Sequence, residues 1–302
     1  MVKIRALLHN RNFILTAAVA AGLALPYGAK WSELIVLPAL SAILTLALID
    51  ISERPPVYLR SPLIPAAVGM FMNYVILGNF LIGLATFLIH DENLWIGFVI
   101  MAAVPAAIVI APLSVSWSGN QAYAVIGTKG AYIGALIIAP VIVSGLVDVR
   151  LFDTRRVIMA AAALIMLPII ASKWISRKDL SDKLKPARGT VINWCFFLIL
   201  YTIVGLNHET ITAHPSSLFP IAAIAFSSTF LLGFLIEWVG TLLHVSREKL
   251  TSLCLLGTFK NYGLAAGLAL FLVSKEAALP AAVLMTFMIV YIAWLDFRLR
   301  RA

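Results

Sequence analysis

The sequence is dominated by long apolar stretches of about 20 residues, which are separated by short polar connections. The hydrocarbon core of a bilayer is about 30 Å thick, so a helix that spans it needs roughly 20 mostly apolar residues. We therefore predict an all-α integral membrane protein in which ten helices account for nearly the whole chain. The predicted helices lie at about 12–29, 33–50, 62–89, 94–128, 131–148, 157–173, 190–207, 217–244, 250–273 and 277–296.

The composition supports a membrane protein. Hydrophobic residues make up 62% of the sequence and charged residues 12%, which is about half the charged share of a soluble domain. The formal net charge of +9 is typical of a chain with Lys- and Arg-rich cytoplasmic loops, so we expect a lipid bilayer and no nucleic acid as its partner. Cys195 and Cys254 lie inside apolar stretches, which argues against a disulfide framework or a metal site and indicates packing residues.

The basic residues predict the orientation. They concentrate at the two termini and in the second, fourth, sixth and eighth connections, so we expect both termini in the cytoplasm of a cell-membrane protein. The basic N-terminus has no small-residue cleavage site and is interpreted as an anchor to the first helix, not as a removed signal peptide. The opposite side carries only Lys30, Arg150, Arg155, Arg156 and Lys275.

The chain divides into two halves of five helices. The division falls at 149–156, just before the sixth helix, and gives repeats at 1–148 and 149–302. Because five is an odd number, the second repeat is inverted relative to the first, as in many secondary transporters. Corresponding positions carry similar stretches, which are YVILGNFL (74–81) with FLLGFLIE (230–237), and SGNQAYAVIG (118–127) with TFKNYGLAAG (258–267).

The fourth and ninth predicted helices contain residues that interrupt a helix. Irregular backbone at membrane depth occurs only where it lines protein or a cavity. At about 1.5 Å per residue, Asn120 and Lys260 both lie roughly 15 Å from the cytoplasmic ends, close to the midplane. Two broken helices that meet there offer free backbone groups to a small solute or ion; the alternative is a pair of kinks that neighbouring Ser and Thr satisfy. The site residues predicted in these helices are Ser118, Asn120, Gln121, Thr258, Lys260, Asn261 and Tyr262.

Lys260 is the most informative of these residues. A cation at the bilayer centre costs about 2.5–3.5 kcal/mol on insertion scales, so its side chain should face the interior and have a partner. We predict either an ion pair with Glu237, which lies roughly 10 Å deep in the eighth helix, or a lysine that gains and loses a proton during transport. Asn73 and Asn79 in the third helix lie at a similar depth, where each either lines the site or joins neighbouring helices.

The sequence contains no motif for catalysis, metal binding or ATP hydrolysis. It has no Ser/His/Asp set, no His-Glu motif and no phosphate-binding loop. We therefore expect neither an enzyme nor a bound cofactor or metal. The leading interpretation is a secondary transporter, and the alternative is a channel or a receptor-like membrane protein.

Three stretches near the predicted breaks carry a family resemblance. They are PLSVSWSGNQAYAVIGTKGAYIGALIIAPVI (112–142), LCLLGTFKNYGLAAGLAL (253–270) and ALPAAVLMTFMIVYIAW (278–294). In these stretches the chain resembles the bile acid:sodium symporter family, within the wider group of bile acid, arsenite and auxin carriers. The resemblance implies a core domain of helices 3–5 and 8–10, at about 62–148 and 217–296, beside a panel domain of helices 1, 2, 6 and 7. It also implies that helices 4 and 9 cross in the core, with Asn120 and Asn261 at the crossing point.

The sequence departs from this family where sodium would bind. Sodium-using members carry an acidic residue and a glutamine before the Asn of the ninth helix, where this chain has Leu256 and Lys260. The polar residues of helix five appear as Ala135 and Ala139. The resemblance therefore implies a transporter of a small organic anion that is sodium-independent, with Lys260 standing in for the coupling cation, and that is proton-coupled or facilitative. The alternative is a sodium-coupled symporter of a bile acid-like anion.

Overall fold

The computed structural model describes residues 10–53, 61–147, 154–177 and 180–299. Over these ranges the chain is built from helices, and no strand is formed in the described part. Within these ranges, six helices are long and apolar enough to cross a membrane. The chain is therefore an all-helical, membrane-embedded protein. The N-terminal anchor and most of the predicted division at 149–156 lie outside the described residues.

The helices follow one another with short connections. Their bounds are α1 (Arg11–Ala24), α2 (Ala29–Glu53), α3 (Leu63–Leu88), α4 (Glu92–Ala103), α5 (Ile110–Ser116), α6 (Gln121–Leu146), α7 (Thr154–Arg177), α8 (Leu180–Leu206), α9 (His208–Ala213), α10 (Pro215–Leu242), α11 (Arg247–Thr258), α12 (Tyr262–Leu272) and α13 (Lys275–Leu299). The third, eighth and tenth predicted helices agree with α3, α10 and α13 to within a few residues.

The fourth predicted helix, at 94–128, has the wrong bounds. In the structure α4 ends at Ala103, α5 ends at Ser116, and α6 begins at Gln121. Asn120 caps α6 with its side chain, and such a cap starts a new helix because it satisfies a backbone N–H of the first turn. The predicted boundary missed this start because the apolar pattern continues on both sides of it.

The connection between the sixth and seventh predicted helices, at 174–189, is helical in the residues that the structure describes. The helix α7 extends to Arg177, and α8 begins at Leu180. The Leu, Lys, Ala and Arg residues of this stretch all have high helix propensity. As a result, Lys185 and Arg188 belong to the first turns of a helix that continues into the apolar interior.

Small residues bring α3 and α6 close together. A Cβ atom built on Gly69 would overlap the backbone of Gly127, and one on Gly130 would lie 2.6 Å from the carbonyl oxygen of Ala66. In a membrane, where lipid tails are as apolar as the side chains, such close backbone contact is a main source of helix association.

Glycine residues also allow α12 to pack closely against α2 and α8. A Cβ on Gly263 would lie 2.7 Å from Cε1 of Phe196, and a Cβ on Gly267 would lie 2.8 Å from Cδ2 of Leu40. These apolar contacts join α12 to the helices that pack with α1 and α7.

Two of the long helices contain a wider, π-helical segment. These segments are Phe71–Gly78 in α3 and Ser227–Leu231 in α10. A π turn inserts an extra residue into the helix and often occurs at functional sites. In α3 this segment carries Asn73 and Tyr74, both of which contact Lys260.

Candidate functional site

Two short non-helical linkers lie side by side in the interior of the protein. Linker A, at 104–109, joins α4 to α5, and linker B, at 259–261, joins α11 to α12. They run antiparallel and form an isolated bridge, which satisfies backbone groups that the interrupted helices leave free. We call this region the linker junction. Its hydrogen bonds run from the backbone N of Ala107 to the Phe259 oxygen (3.2 Å) and from the backbone N of Asn261 to the Pro105 oxygen (2.9 Å).

Local sequence explains both linkers. Pro105 disfavours a helical conformation for Val104, which is extended, with a ψ of 153°. In linker B, the Oδ1 atom of Asn261 accepts a hydrogen bond of 3.1 Å from the backbone N of Leu264. Asn261 is therefore the N-cap of α12, which fixes where that helix starts.

Lys260 lies at the centre of the linker junction and is fully buried. Its Nζ atom donates to the carbonyl oxygens of Ala102 (2.8 Å) and Val104 (2.9 Å) and to Oδ1 of Asn73 (3.0 Å). An ammonium group has three donors, and these contacts use all of them. The two carbonyls belong to the C-terminal end of α4, where the helix dipole favours a positive charge. The Tyr74 ring, with its centroid 4.7 Å from Nζ, adds a cation–π contact.

The predicted ion pair between Lys260 and Glu237 is wrong. Glu237 instead forms an ion pair with Arg298 of α13, and both side chains are partly exposed. The prediction rested on depth alone, and a match in depth does not bring two helix faces together. Asn73, which was predicted either to line the site or to join helices, is the side chain that binds Lys260 and joins α3 to the linker junction.

The structure brings three further predicted residues to the linker junction. Asn261 donates from Nδ2 to the hydroxyl oxygen of Tyr132 at 2.9 Å. The Tyr262 hydroxyl donates to the backbone oxygen of Thr258 at 3.2 Å, and the Thr258 hydroxyl donates to the backbone oxygen of Cys254 at 2.6 Å. All three side chains are buried, so the junction is held by hydrogen bonds on each side of linker B.

The other predicted residues lie away from the linker junction, and Asn120 does not meet Lys260 there as predicted. Its backbone N donates to the carbonyl oxygen of Glu248, in the first turn of α11, which is about 18 Å along that helix from Lys260. The break in the fourth predicted helix comes earlier, at linker A, so Asn120 sits at a helix start. Gln121 follows it as the first residue of α6, and Ser118 is exposed in the preceding turn, with a positive φ of 54°.

Asn79 also lies away from the linker junction. It is exposed at the end of the π segment of α3, and it does not line the cavity beside the junction. Asn79 is six positions after the buried Asn73, which is not a whole number of helical turns, so its side chain lies on another face of α3.

A cavity of about 300 Å³ lies beside the linker junction. The cavity is lined by residues of both linkers and of α2, α5, α8, α12 and α13. Among the described residues, its apolar lining includes Ile43, Ala47, Ile192, Phe196, Met285 and Met288, and its polar lining includes Lys185, Arg188, Asn193, Lys260 and Asn261.

Sequence reasoning missed the contribution of α8 to this cavity. Lys185 and Arg188 fall in the predicted connection between the sixth and seventh helices, and Asn193 falls in the apolar helix predicted at 190–207. A polar residue within an apolar stretch was the signal available for Asn193. For Arg188, which is only 6% exposed, the signal available was the high helix propensity of the surrounding stretch.

Comparison with known proteins adds no identification. No protein-family model and no curated protein matches this chain. The resemblance to the bile acid:sodium symporter family therefore stays a prediction.

Proposed function

We propose that the chain is a secondary transporter that moves a small organic anion across the membrane by alternating access. The observation that carries this proposal is the cavity beside two antiparallel helix linkers in the interior of a membrane-embedded protein. Interrupted helices that meet near the midplane are the typical substrate and ion sites of secondary transporters. The described ranges offer this cavity as a place for a small solute to bind at that depth.

The order of the elements supports ten crossings in two inverted repeats. A long helix with a π segment, a helix interrupted by a linker, and another long helix occur as α3, α4–α5 and α6, and again as α10, α11–α12 and α13. A pair of helices precedes each set, as α1–α2 and as α7–α8. With the basic helix ends in the cytoplasm, both termini lie on that side.

The packing supports a division into a moving and a fixed group of helices. In this proposal the core consists of α3–α6 and α10–α13, and the panel consists of α1, α2, α7 and α8. Residues of both groups line the cavity, and the contacts of Gly263 with Phe196 at its wall and of Gly267 with Leu40 join α12 to the panel. Sliding of α12 along α2 and α8 would loosen these contacts, which is the kind of movement that alternating access requires.

The contacts of Lys260 support a transporter that does not need sodium. Three oxygen atoms surround its ammonium at 2.8–3.0 Å, and such hard oxygen ligands are what a small cation prefers. In its protonated form, Lys260 would thus occupy the position that a coupling ion would take. Transport would then be driven either by a proton gradient or by the concentration gradient of the substrate itself.

Transport in proteoliposomes tests this proposal directly. Organic acids are first ranked by the shift in melting temperature that they cause in the purified chain, and the best is radiolabelled. We expect saturable uptake and counterflow that proceed equally in sodium and in choline buffer. Uptake that strictly required a sodium gradient would identify the sodium-coupled alternative, and non-saturating conductance without counterflow would identify a channel.

Two helix caps provide a matched pair of variants. Asn261→Ala and Asn120→Ala each remove a side-chain oxygen that caps a helix, so each should lose about 1 kcal/mol of stability. Only Asn261 lines the cavity and bonds to Tyr132. We therefore expect Asn261→Ala alone to reduce counterflow, by about tenfold. Equal transport by both variants would argue against a site at the linker junction.

A further inference from the structure

One face of the helix α6 is exposed along most of its length. Ile133, Ile137 and Val141 lie on this side, which we call the α6 face, and are between 63% and 72% exposed. Because α6 is long and apolar enough to cross a membrane, these side chains contact the acyl chains of lipid. None of the described residues that line the cavity belongs to α6, so the α6 face is separate from the candidate functional site.

A cation interrupts the α6 face near the start of the helix. Lys129 is exposed and lies four residues before Ile133, on the same side of the helix. The 26 residues of α6 extend over about 39 Å, whereas the hydrocarbon core is about 30 Å thick. With the C-terminal end of α6 at one edge of this core, the other edge lies within one helical turn of Lys129. At this depth a lysine extends its ammonium group into the headgroup layer.

A second cation flanks the same end of the α6 face. Lys249 of α11 is exposed, and its Nζ atom lies 5.6 Å from the centroid of the Tyr123 ring in the first turn of α6, which is a cation–π contact. Tyr123 precedes Lys129 by six residues, so it lies about 9 Å nearer to the helix start and about 120° around the axis. The two lysines therefore stand on either side of the exposed surface.

The spacing of the two lysines is fixed by backbone contacts between α6 and α11. The backbone N of Asn120 donates to the Glu248 oxygen at 2.8 Å, and the Ser252 hydroxyl donates to the Asn120 oxygen at 2.9 Å. In the described part of the chain, neither lysine forms an ion pair with an acidic side chain, the neighbouring Glu248 included. Two unneutralised cations thus border the headgroup end of an apolar surface.

We propose that this place binds an anionic phospholipid. The phosphate lies between Lys129 and Lys249, and an acyl chain runs along Ile133, Ile137 and Val141. A zwitterionic lipid fits less well, because its own cationic group is repelled by the two lysines. The bound lipid joins the start of α6 to the start of α11, and the site does not depend on the proposed transport activity.

Native mass spectrometry of the full chain measures this binding. The delipidated protein in mild detergent is titrated with dioleoyl phosphatidylglycerol or dioleoyl phosphatidylcholine. Each lysine near the headgroup layer should favour the anionic lipid about fivefold, so we expect a preference of about 25-fold at one site. Equal affinities for the two lipids would overturn the proposal.

Substitutions of the two lysines locate the site. Lys129→Gln and Lys249→Gln should each lower the preference about fivefold, and the double variant should abolish it. The matched control is Lys30→Gln, which removes an exposed lysine of α2 and should leave the preference unchanged. If Lys30→Gln lowered it as much as Lys129→Gln does, the preference would reflect only the net charge of the protein and the site would be rejected.

Thermal stability provides an independent readout. Without lipid, all of these surface variants should melt like the parent. Saturating phosphatidylglycerol should raise the melting temperature of the parent by about 5 °C, and that of the double variant by much less.

A soluble headgroup identifies the source of the phosphate. An excess of sn-glycerol 3-phosphate should neither displace the bound lipid nor raise the melting temperature, because it lacks the acyl chain that covers Ile133 and Ile137. Displacement of the lipid by this compound would contradict the proposal and identify a site for free phosphate esters.

Discussion

Replacing Lys260 by Met is expected to lower the apparent melting temperature by about 5 °C or more and to reduce transport at least tenfold. The substitution removes a cation whose insertion costs about 3 kcal/mol. It also leaves three buried oxygen atoms without their donor, at about 1–3 kcal/mol each. The loss of the donor is the larger effect, and we expect a net loss of about 2 kcal/mol of stability. In a domain of 150–250 residues, such a loss lowers the melting temperature by roughly 4–8 °C. Differential scanning fluorimetry and counterflow measure the two results.

The matched control is Lys275→Met, because Lys275 is exposed on α13. Lys260→Ala provides the complementary test, since it leaves space among the three oxygen atoms. We expect sodium, compared with choline, to raise the melting temperature of Lys260→Ala and not that of the parent. If Lys260→Met folded and transported like the parent, the role of Lys260 as a built-in cation would be wrong.

The second large effect is expected at the contact between α3 and α6. A methyl group on Gly130 would lie 2.6 Å from the oxygen and 2.7 Å from the Cα of Ala66, and backbone atoms cannot move aside as a flexible side chain can. We expect Gly130→Ala to cost about 1–3 kcal/mol, the usual range for overpacking. The loss should appear as a lower melting temperature and a lower yield of monodisperse protein.

Gly145 gives an internal control on the same helix. A Cβ at this position meets nothing within 4 Å, and alanine in a helix is favoured over glycine by roughly 0.5–1 kcal/mol. Gly145→Ala should therefore be neutral or slightly stabilising. Similar melting temperatures for the two variants would contradict the close approach of α3 and α6.

The class of protein could be predicted from the sequence because membrane thickness leaves a strong compositional signal. The interior position of Lys260 could also be predicted from the sequence. A charged side chain is costly in lipid, so a lysine in the middle of an apolar stretch has to face the protein interior and have partners there. Its partners could not be predicted, because they are mostly backbone carbonyls of another helix. Backbone acceptors are present at every residue and leave no signal in the sequence.

Linker A shows why the break in the fourth predicted helix was expected too close to Asn120. Its residues Val104 to Val109 are all apolar, so only Pro105 distinguishes them from the helices on either side. The polar stretch at 114–121 gave a stronger signal and drew the predicted break towards Asn120. That stretch instead covers the end of α5, the turn at 117–120 and the start of α6, and Ser114 of α5 shares a hydrogen bond of 2.9 Å with Ser252.

The enclosed ammonium of Lys260 also has an electrical consequence. A cation that stays attached to the chain returns with it after every cycle, so it cannot neutralise the charge of the solute over a complete turnover. Transport of a singly charged organic anion alone would then move one net negative charge, worth about 2.3 kcal/mol per 100 mV of membrane potential. In a cell with a negative interior this voltage favours efflux, and only a proton that travels with the acid would make the cycle electrically silent.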